Sequence, residues 1–196
     1  MKADKMRIDI WSDIACPYCY KGKHLLEEAL EGFPQAADVE LRLHSYELRP
    51  GAEKNNTADA LRLVQLAQEK GLAPEMEEAL FTAYFDRKED VSNPALLLHL
   101  GKGVGLEETE IRQLLAGDRF RQSLTDDQRE AEEKYALEYI PFYLLNESLV
   151  IQGILSAEDY AKALREAYVG WKAGEKGKAE RKEGRACSAD GKSCRI

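Results

Sequence analysis

Met6-Arg7-Ile8-Asp9-Ile10-Trp11 leads through Ser12-Asp13-Ile14-Ala15 into Cys16-Pro17-Tyr18-Cys19, and a helix-like stretch follows at once. Two cysteines with this spacing, placed between a strand and a helix, form the arrangement that dithiol–disulfide exchange requires. The first sulfur, that of Cys16, sits at the helix N-terminus. Unpaired backbone N–H groups and the positive end of the helix dipole favour thiolate over thiol there. Cys19 lies one turn further in, within reach of a mixed disulfide formed at Cys16. Pro17 suits the first helical position, because the N–H it lacks has no intrahelical partner there. The competing readings are half of a zinc site or a pair of buried thiols. Zinc needs two further ligands at suitable spacing and none lies nearby, so no metal is assigned.

Outward from this motif, Ile8, Ile10 and Trp11 read as the first strand. Leu25, Leu26, Ala29 and Leu30 fall at helical spacing, with Gly32 as the stop. Val39, Leu41 and Leu43 alternate with Glu40, Arg42 and His44, which predicts a second strand and a βαβ unit. From Thr57 to about Tyr139 the signals are helical. Asn56 or Thr57 caps one helix that Gly71 ends, Pro74 opens another, and Asn93-Pro94 caps a third. Glu107 to Leu115 and Phe120 to about Glu138 complete the set, and the acidic run from Asp126 to Glu133 is expected to be a solvated face. Strand signals return at Phe142 to Leu145 and Leu149 to Gln152, with a hairpin turn at Asn146-Glu147-Ser148. A last helix starts at Ser156. After Gly170 the chain is Gly- and Lys-rich and is expected to be mobile.

This order is α/β and is that of a thioredoxin fold with an inserted α-helical domain. The expected division is residues 1–50 and 140–168 for the thioredoxin-like part and 51–139 for the helical lobe. Residues 169–196 are expected to form a flexible tail with a second cysteine pair, Cys187 and Cys194.

Composition limits the partners. With 196 residues, 44% hydrophobic, the chain can build one good core, and its net charge of −8 argues against nucleic acid. No apolar run approaches a membrane span. The N-terminus enters the first strand without an apolar export segment, so a cytoplasmic location is expected. The four cysteines form two close pairs, a pattern of reactivity or metal binding rather than of stapling. Asp190-Gly191 favours a chain reversal that brings Cys187 and Cys194 together as a local, easily reduced disulfide. A redox relay to Cys16, an idle tail, and zinc shared among all four cysteines stay open as readings of this pair.

Ser12-Asp13-Ile14-Ala15-Cys16-Pro17-Tyr18-Cys19, Asn56-Thr57-Ala58-Asp59-Ala60-Leu61-Arg62-Leu63, Glu78-Ala79-Leu80-Phe81-Thr82-Ala83-Tyr84-Phe85 and Ile140-Pro141-Phe142 occur in an order that resembles the DsbA-like superfamily. The closest resemblance is to its leaderless FrnE-like members, over about residues 6 to 165. It implies a thiol–disulfide oxidoreductase acting on thiol- or disulfide-containing protein substrates, with glutathione as a further candidate and no dissociable cofactor. It also implies that Pro141 is a cis-proline facing the active-site disulfide. Tyr139-Ile140 depart from the small residue and valine that more often precede that proline, which puts substrate preference in doubt.

Read from the residues alone, Pro141 is either such a cis turn, presenting the Ile140 backbone to an extended substrate, or a trans proline opening a strand. Trp11, Pro17, Tyr18, Ile140 and Phe142 are candidates to line an apolar substrate groove, with core packing as the alternative. Asp13 could relay protons or serve only the turn. Two rival functions remain. One is glutathione-linked isomerisation or transfer, as in the related kappa-type glutathione transferases and hydroxychromene carboxylate isomerases, which carry serine at the reactive position. The other is a non-catalytic peptide-binding chaperone or zinc-holding module. No motif encodes the direction of electron flow or the oligomeric state.

Overall fold

The computed structural model describes residues 5–52, 56–174, 180–188, 194 and 195. In chain order the elements are β1 (Met6–Ser12), α1 (Pro17–Glu31), β2 (Val39–Ser45), α2 (Ala58–Glu69), α3 (Ala73–Phe81), α4 (Pro94–Gly103), α5 (Glu108–Ala116) and α6 (Arg121–Tyr135). There follow β3 (Tyr139–Ile140), β4 (Phe142–Leu145), β5 (Leu149–Gln152), α7 (Ala157–Lys172), β6 (Glu180–Glu183), β7 (Ala186–Ser188) and β8 (Cys194–Arg195). Among the described residues no helix is long and apolar enough to cross a membrane. The chain divides into two compact units. One comprises Met1–Trp11, Tyr18–Arg42 and Leu137–Ile196, and the other Ser12–Pro17 and Leu43–Ala136.

The first unit is built on a sheet of order β2-β1-β4-β5-β6. β1 and β4 are antiparallel, with Ile8 opposite Leu145 and Trp11 opposite Phe142. β4 and β5 are also antiparallel. Phe-Tyr-Leu-Leu and Leu-Val-Ile-Gln are buried at every position, as central strands covered on both faces must be. Asn146 and Glu147 join them with φ of 49° and 56°, the left-handed pair that a tight hairpin needs. The Ser148 N–H closes that turn on the Leu145 carbonyl at 3.0 Å. The Ser156 hydroxyl accepts from the Asp159 N–H at 3.1 Å and so caps α7. The buried face of α7 carries Tyr160, Ala163, Leu164 and Ala167, while Ala157 and Ala161 are half-buried.

The C-terminal segment differs from the mobile tail its composition predicts. Glu180–Glu183 adds to the sheet as β6, parallel to β5, and β7 continues into a second sheet of order β3-β7-β8. Glu-Arg-Lys-Glu has no apolar alternation to announce a strand. Its pairing with β5 is a backbone ladder, Lys182 also reaches Glu166 of α7 at 2.7 Å, and charged residues are what protect a sheet edge. The expected reversal at Asp190-Gly191 lies outside the described residues. The join between the sheets depends on two glycines. A Cβ on Gly184 would lie 1.9 Å from the Ile154 carbonyl oxygen, and one on Gly153, at φ +82°, 2.6 Å from that of Arg185. Their absence lets Ile154 N–H reach Arg185 O and Gly184 N–H reach Gln152 O, both at 2.7 Å.

The second unit is helical. The Asn56 side chain accepts from the Ala58 N–H at 2.9 Å and opens α2, and Gly71, at φ +75°, follows its end. Asn93 accepts from the Ala95 N–H at 2.9 Å ahead of Pro94 at the start of α4. Arg62 is wholly buried. Its guanidinium donates to the carbonyls of Arg119 at 2.7 Å, Leu114 at 2.5 Å and Gly117 at 2.6 Å, and pairs with Asp59 at 2.6 Å. It thereby satisfies the carbonyls that the end of α5 leaves free. The acidic run on α6 is not wholly a solvated face. Asp127 turns inward to accept from the Ser45 N–H at 2.9 Å and the Gln65 amide at 2.7 Å, with His44 at 2.9 Å.

Candidate active site

Cys16 is the residue immediately before Pro17, and Pro17 opens the 15-residue helix α1. The amides of Tyr18 and Cys19 therefore belong to a first turn without intrahelical acceptors, at the positive end of the helix. Cys16 and Cys19 are both buried and are not joined by a disulfide. The approach to Cys16 is a tight turn in which its N–H donates to the Asp13 carbonyl at 3.0 Å. The Asp13 carboxylate accepts from Ala15 N–H at 3.2 Å and from Leu48 N–H at 2.8 Å. Its burial pushes the Asp13 carboxyl above the usual aspartate range. Next to it, Ser12 donates its hydroxyl proton to the buried Glu77 carboxylate at 2.5 Å.

The Ile140–Pro141 peptide bond is cis. The loop around it is held from two sides. The buried Gln152 side-chain oxygen accepts from Glu138 N–H at 2.9 Å and Tyr139 N–H at 3.1 Å, and Gly153 N–H donates to the Pro141 carbonyl at 2.7 Å. Pro141 also packs against α1. A Cβ on Gly22, one turn beyond Cys19 on the buried face, would lie 3.2 Å from Pro141 Cγ and 2.5 Å from the Tyr143 hydroxyl. Gly22 is thus the residue that lets the cysteine-bearing helix approach the proline loop.

The proposed groove residues separate. Trp11, Ile140 and Phe142 are core residues, at 1%, 0% and 0% exposure, and Trp11 meets Phe142 edge-to-face with ring centroids 5.4 Å apart. Trp11 and Phe142 lie on β1 and β4, inner strands of the five-stranded sheet, and Ile140 on β3 of the second sheet; all three are buried and none lines an open surface. Pro17 is exposed and Tyr18 half-buried.

On the other side of the loop stands β7. Tyr139 pairs with Ser188 and Ile140 with Cys187, and Cys187 in turn stands opposite Cys194 on β8. Sequence reasoning missed Gln152, Gly153 and Gly22. Gln152 ends an apolar strand, and a polar residue at that point is the available signal; the glycines carry none.

A model of the DSBA-like thioredoxin domain matches residues 7–165. The chain belongs to that family. A probable DsbA oxidoreductase from Streptomyces coelicolor has 28% identity, covers 97% of this chain and 99% of its own, and superposes with a TM-score of 0.78. Pseudomonas aeruginosa DsbA, at 14% identity and 88% coverage of each chain, shares the fold with a TM-score of 0.61. The Bacillus subtilis (strain 168) protein YwbO, itself uncharacterized, is 22% identical over 81% of this chain and 96% of its own. Membership supports thiol–disulfide oxidoreductase chemistry at the level of the family.

Proposed function

We propose that the chain is a thiol–disulfide oxidoreductase acting on protein substrates, with Cys16 as the attacking sulfur and Cys19 as the resolving one. The observation that carries this reading is the seat of Cys16 directly ahead of Pro17, at the start of a 15-residue helix. In the reducing direction the Cys16 thiolate attacks a substrate disulfide. One substrate sulfur leaves as a thiolate and takes a proton, and the other is held as a mixed disulfide. Cys19 then gives up its proton and attacks the Cys16 sulfur. The Cys16–Cys19 disulfide forms, and the second substrate thiol is released with two electrons transferred to the substrate. The reverse sequence oxidises a dithiol. Cys16 is fully buried here, so exchange with a protein substrate requires its surroundings to open. Reduction of insulin disulfides, followed with wild type, Cys16→Ser and Cys19→Ser, tests the assignment.

A second element of the reading concerns the C-terminal pair. Residues directly opposite on antiparallel strands have Cα atoms about 4.5–5.5 Å apart, inside the range of about 4.4–6.8 Å that a disulfide spans. The register of Cys187 against Cys194 is of this kind and supports a local disulfide. Cys187 also stands opposite Ile140, beside the proline loop, which favours a relay with the Cys16–Cys19 pair over an idle tail.

A further inference from the structure

Tyr160, on the buried face of α7, lies in the core of the first unit, and its hydroxyl has no hydrogen-bond partner among the described residues. An orphaned buried hydroxyl is destabilising, and phenylalanine would fill the same space without that cost. The surroundings of this hydroxyl lead to the resolving cysteine. The Tyr160 ring meets the Tyr143 ring edge-on, with centroids 5.4 Å apart. The Tyr143 hydroxyl in turn lies 2.5 Å from the place a Cβ on Gly22 would take. Gly22 and Cys19 stand three residues apart on the buried face of α1, so their side-chain positions are neighbours. Cys19 is near enough to Tyr160 for a thiolate charge to act on it. All four residues belong to the first unit. We propose that the Tyr160 hydroxyl is the hydrogen-bond donor to the Cys19 thiolate in the resolving step. The inference rests on the reading of Cys19 as the resolving sulfur.

A buried thiol ionises with difficulty unless a donor reaches its sulfur. That donor has to keep its own proton while the thiolate forms. Tyr160 meets this condition. Burial above all, with the Cys19 charge adding to it, holds its proton affinity above the ordinary tyrosine value, against smaller pulls from Tyr143 and the Leu155 N–H. A neutral phenol O–H is therefore present throughout the range in which thiols ionise. As Cys19 resolves the mixed disulfide, its S–H bond breaks and the Cys19–Cys16 bond forms. The bond from Cys16 to the substrate breaks with its electron pair on the substrate sulfur, which ends with the proton that Cys19 has lost. Tyr160 donates to the Cys19 sulfur and keeps its proton throughout. A neutral thiol sulfur is only a weak acceptor, so the same hydroxyl is left orphaned when Cys19 is protonated.

The test is the rate at which iodoacetamide alkylates Cys19 against pH, read by mass spectrometry on the full chain carrying Cys16→Ser, with and without Tyr160→Phe. The expected result is a midpoint about one pH unit higher in the Tyr160→Phe protein, because a donor to the charged form has been removed. With Cys16 present, resolution of its mixed disulfide is expected to slow about threefold below the midpoint. There the thiolate fraction falls about tenfold while nucleophilicity rises about threefold, and the slowing vanishes above the midpoint. Slowing that is equal at every pH, or no change in either profile, overturns the proposal. Tyr143→Phe is expected to leave the midpoint in place; a rise there as large as in Tyr160→Phe overturns the choice of donor. Tyr160→Phe keeps the ring and is expected to match or exceed wild type in urea unfolding. A clear loss of stability would mean that the hydroxyl already has a partner, and overturns the proposal as well. A wild-type mixed disulfide that lasts as long as that of Cys19→Ser would refute the resolving role without touching the alkylation midpoints, so the two can fail separately.

Discussion

Cys187 stands directly across the β3–β7 ladder from Ile140, the residue on the amino side of the cis-proline. The backbone edge that an extended substrate would pair with is therefore taken by the chain's own C-terminal strand. A peptide that uses Ile140 in the same way has to displace β7 first.

The double variant Cys187→Ser, Cys194→Ser is expected to lower reductase or isomerase turnover while leaving the fold intact. Gly184→Val removes the tail differently, since any Cβ there meets the Ile154 carbonyl oxygen at 1.9 Å. It is expected to free the C-terminal strands, read as faster proteolytic cleavage after Lys172. Unchanged kinetics in the double variant, with no zinc found by native mass spectrometry, would leave the tail pair idle.

Gly22→Ala is expected to destabilise the protein although alanine is the better helix former. The propensity gain is about 1 kcal/mol. Against it, the new methyl would sit 2.5 Å from the Tyr143 hydroxyl and 2.8 Å from Ile154 Cγ2, both held in the core. Overpacking of this kind costs about 1–3 kcal/mol, which exceeds the helical gain over most of that range. Urea unfolding measures the difference; a more stable Gly22→Ala protein would mean that α1 is free to move off the proline loop.

Much of this arrangement is legible in the sequence because the signals are local. Cys16, Pro17 and Cys19 announce a helix start by type and spacing, and Asn93-Pro94 and Ser156 cap their helices as read. The hairpin between β4 and β5 is equally plain, since two apolar runs flank a polar turn. What escapes is held by backbone or by distant partners. β6 is four charged residues in a sheet, and nothing in Glu180-Arg181-Lys182-Glu183 signals the pairing with Leu149 to Gln152. The burial of Trp11 and Phe142 follows from the position of their strands in the sheet, not from their identity as aromatics. Asp127 looks like one acid among many until His44, Ser45 and Gln65 are seen to converge on it.

Arg62→Leu is expected to cost the helical unit about 1–3 kcal/mol, because it removes the guanidinium from the buried Leu114 carbonyl and from the part-buried carbonyls of Gly117 and Arg119. For a chain of this size each kcal/mol lowers Tm by about 2–4 °C. A calorimetric Tm within a degree or two of wild type would show that water reaches those carbonyls.

The raised proton affinity of Asp13 gives stability a defined pH dependence. A carboxyl raised in the folded state from its ordinary 3.8 binds its proton more tightly there than in the unfolded chain. Its favourable contribution is complete below that ordinary value and is lost as pH rises through the folded-state value. Wild type is therefore expected to gain stability relative to Asp13→Asn as pH falls through this window. Chemical denaturation of the two proteins at a series of pH values measures it; parallel curves would contradict burial of an ionisable group at this position.

The division of labour between the two cysteines is tested most directly by mass spectrometry of Cys19→Ser after incubation with a disulfide-bonded peptide. The account predicts a persistent peptide adduct on Cys16, absent from wild type, where Cys19 resolves it, and absent from Cys16→Ser. An adduct that forms on another cysteine, or one that wild type retains as long as Cys19→Ser does, would contradict it.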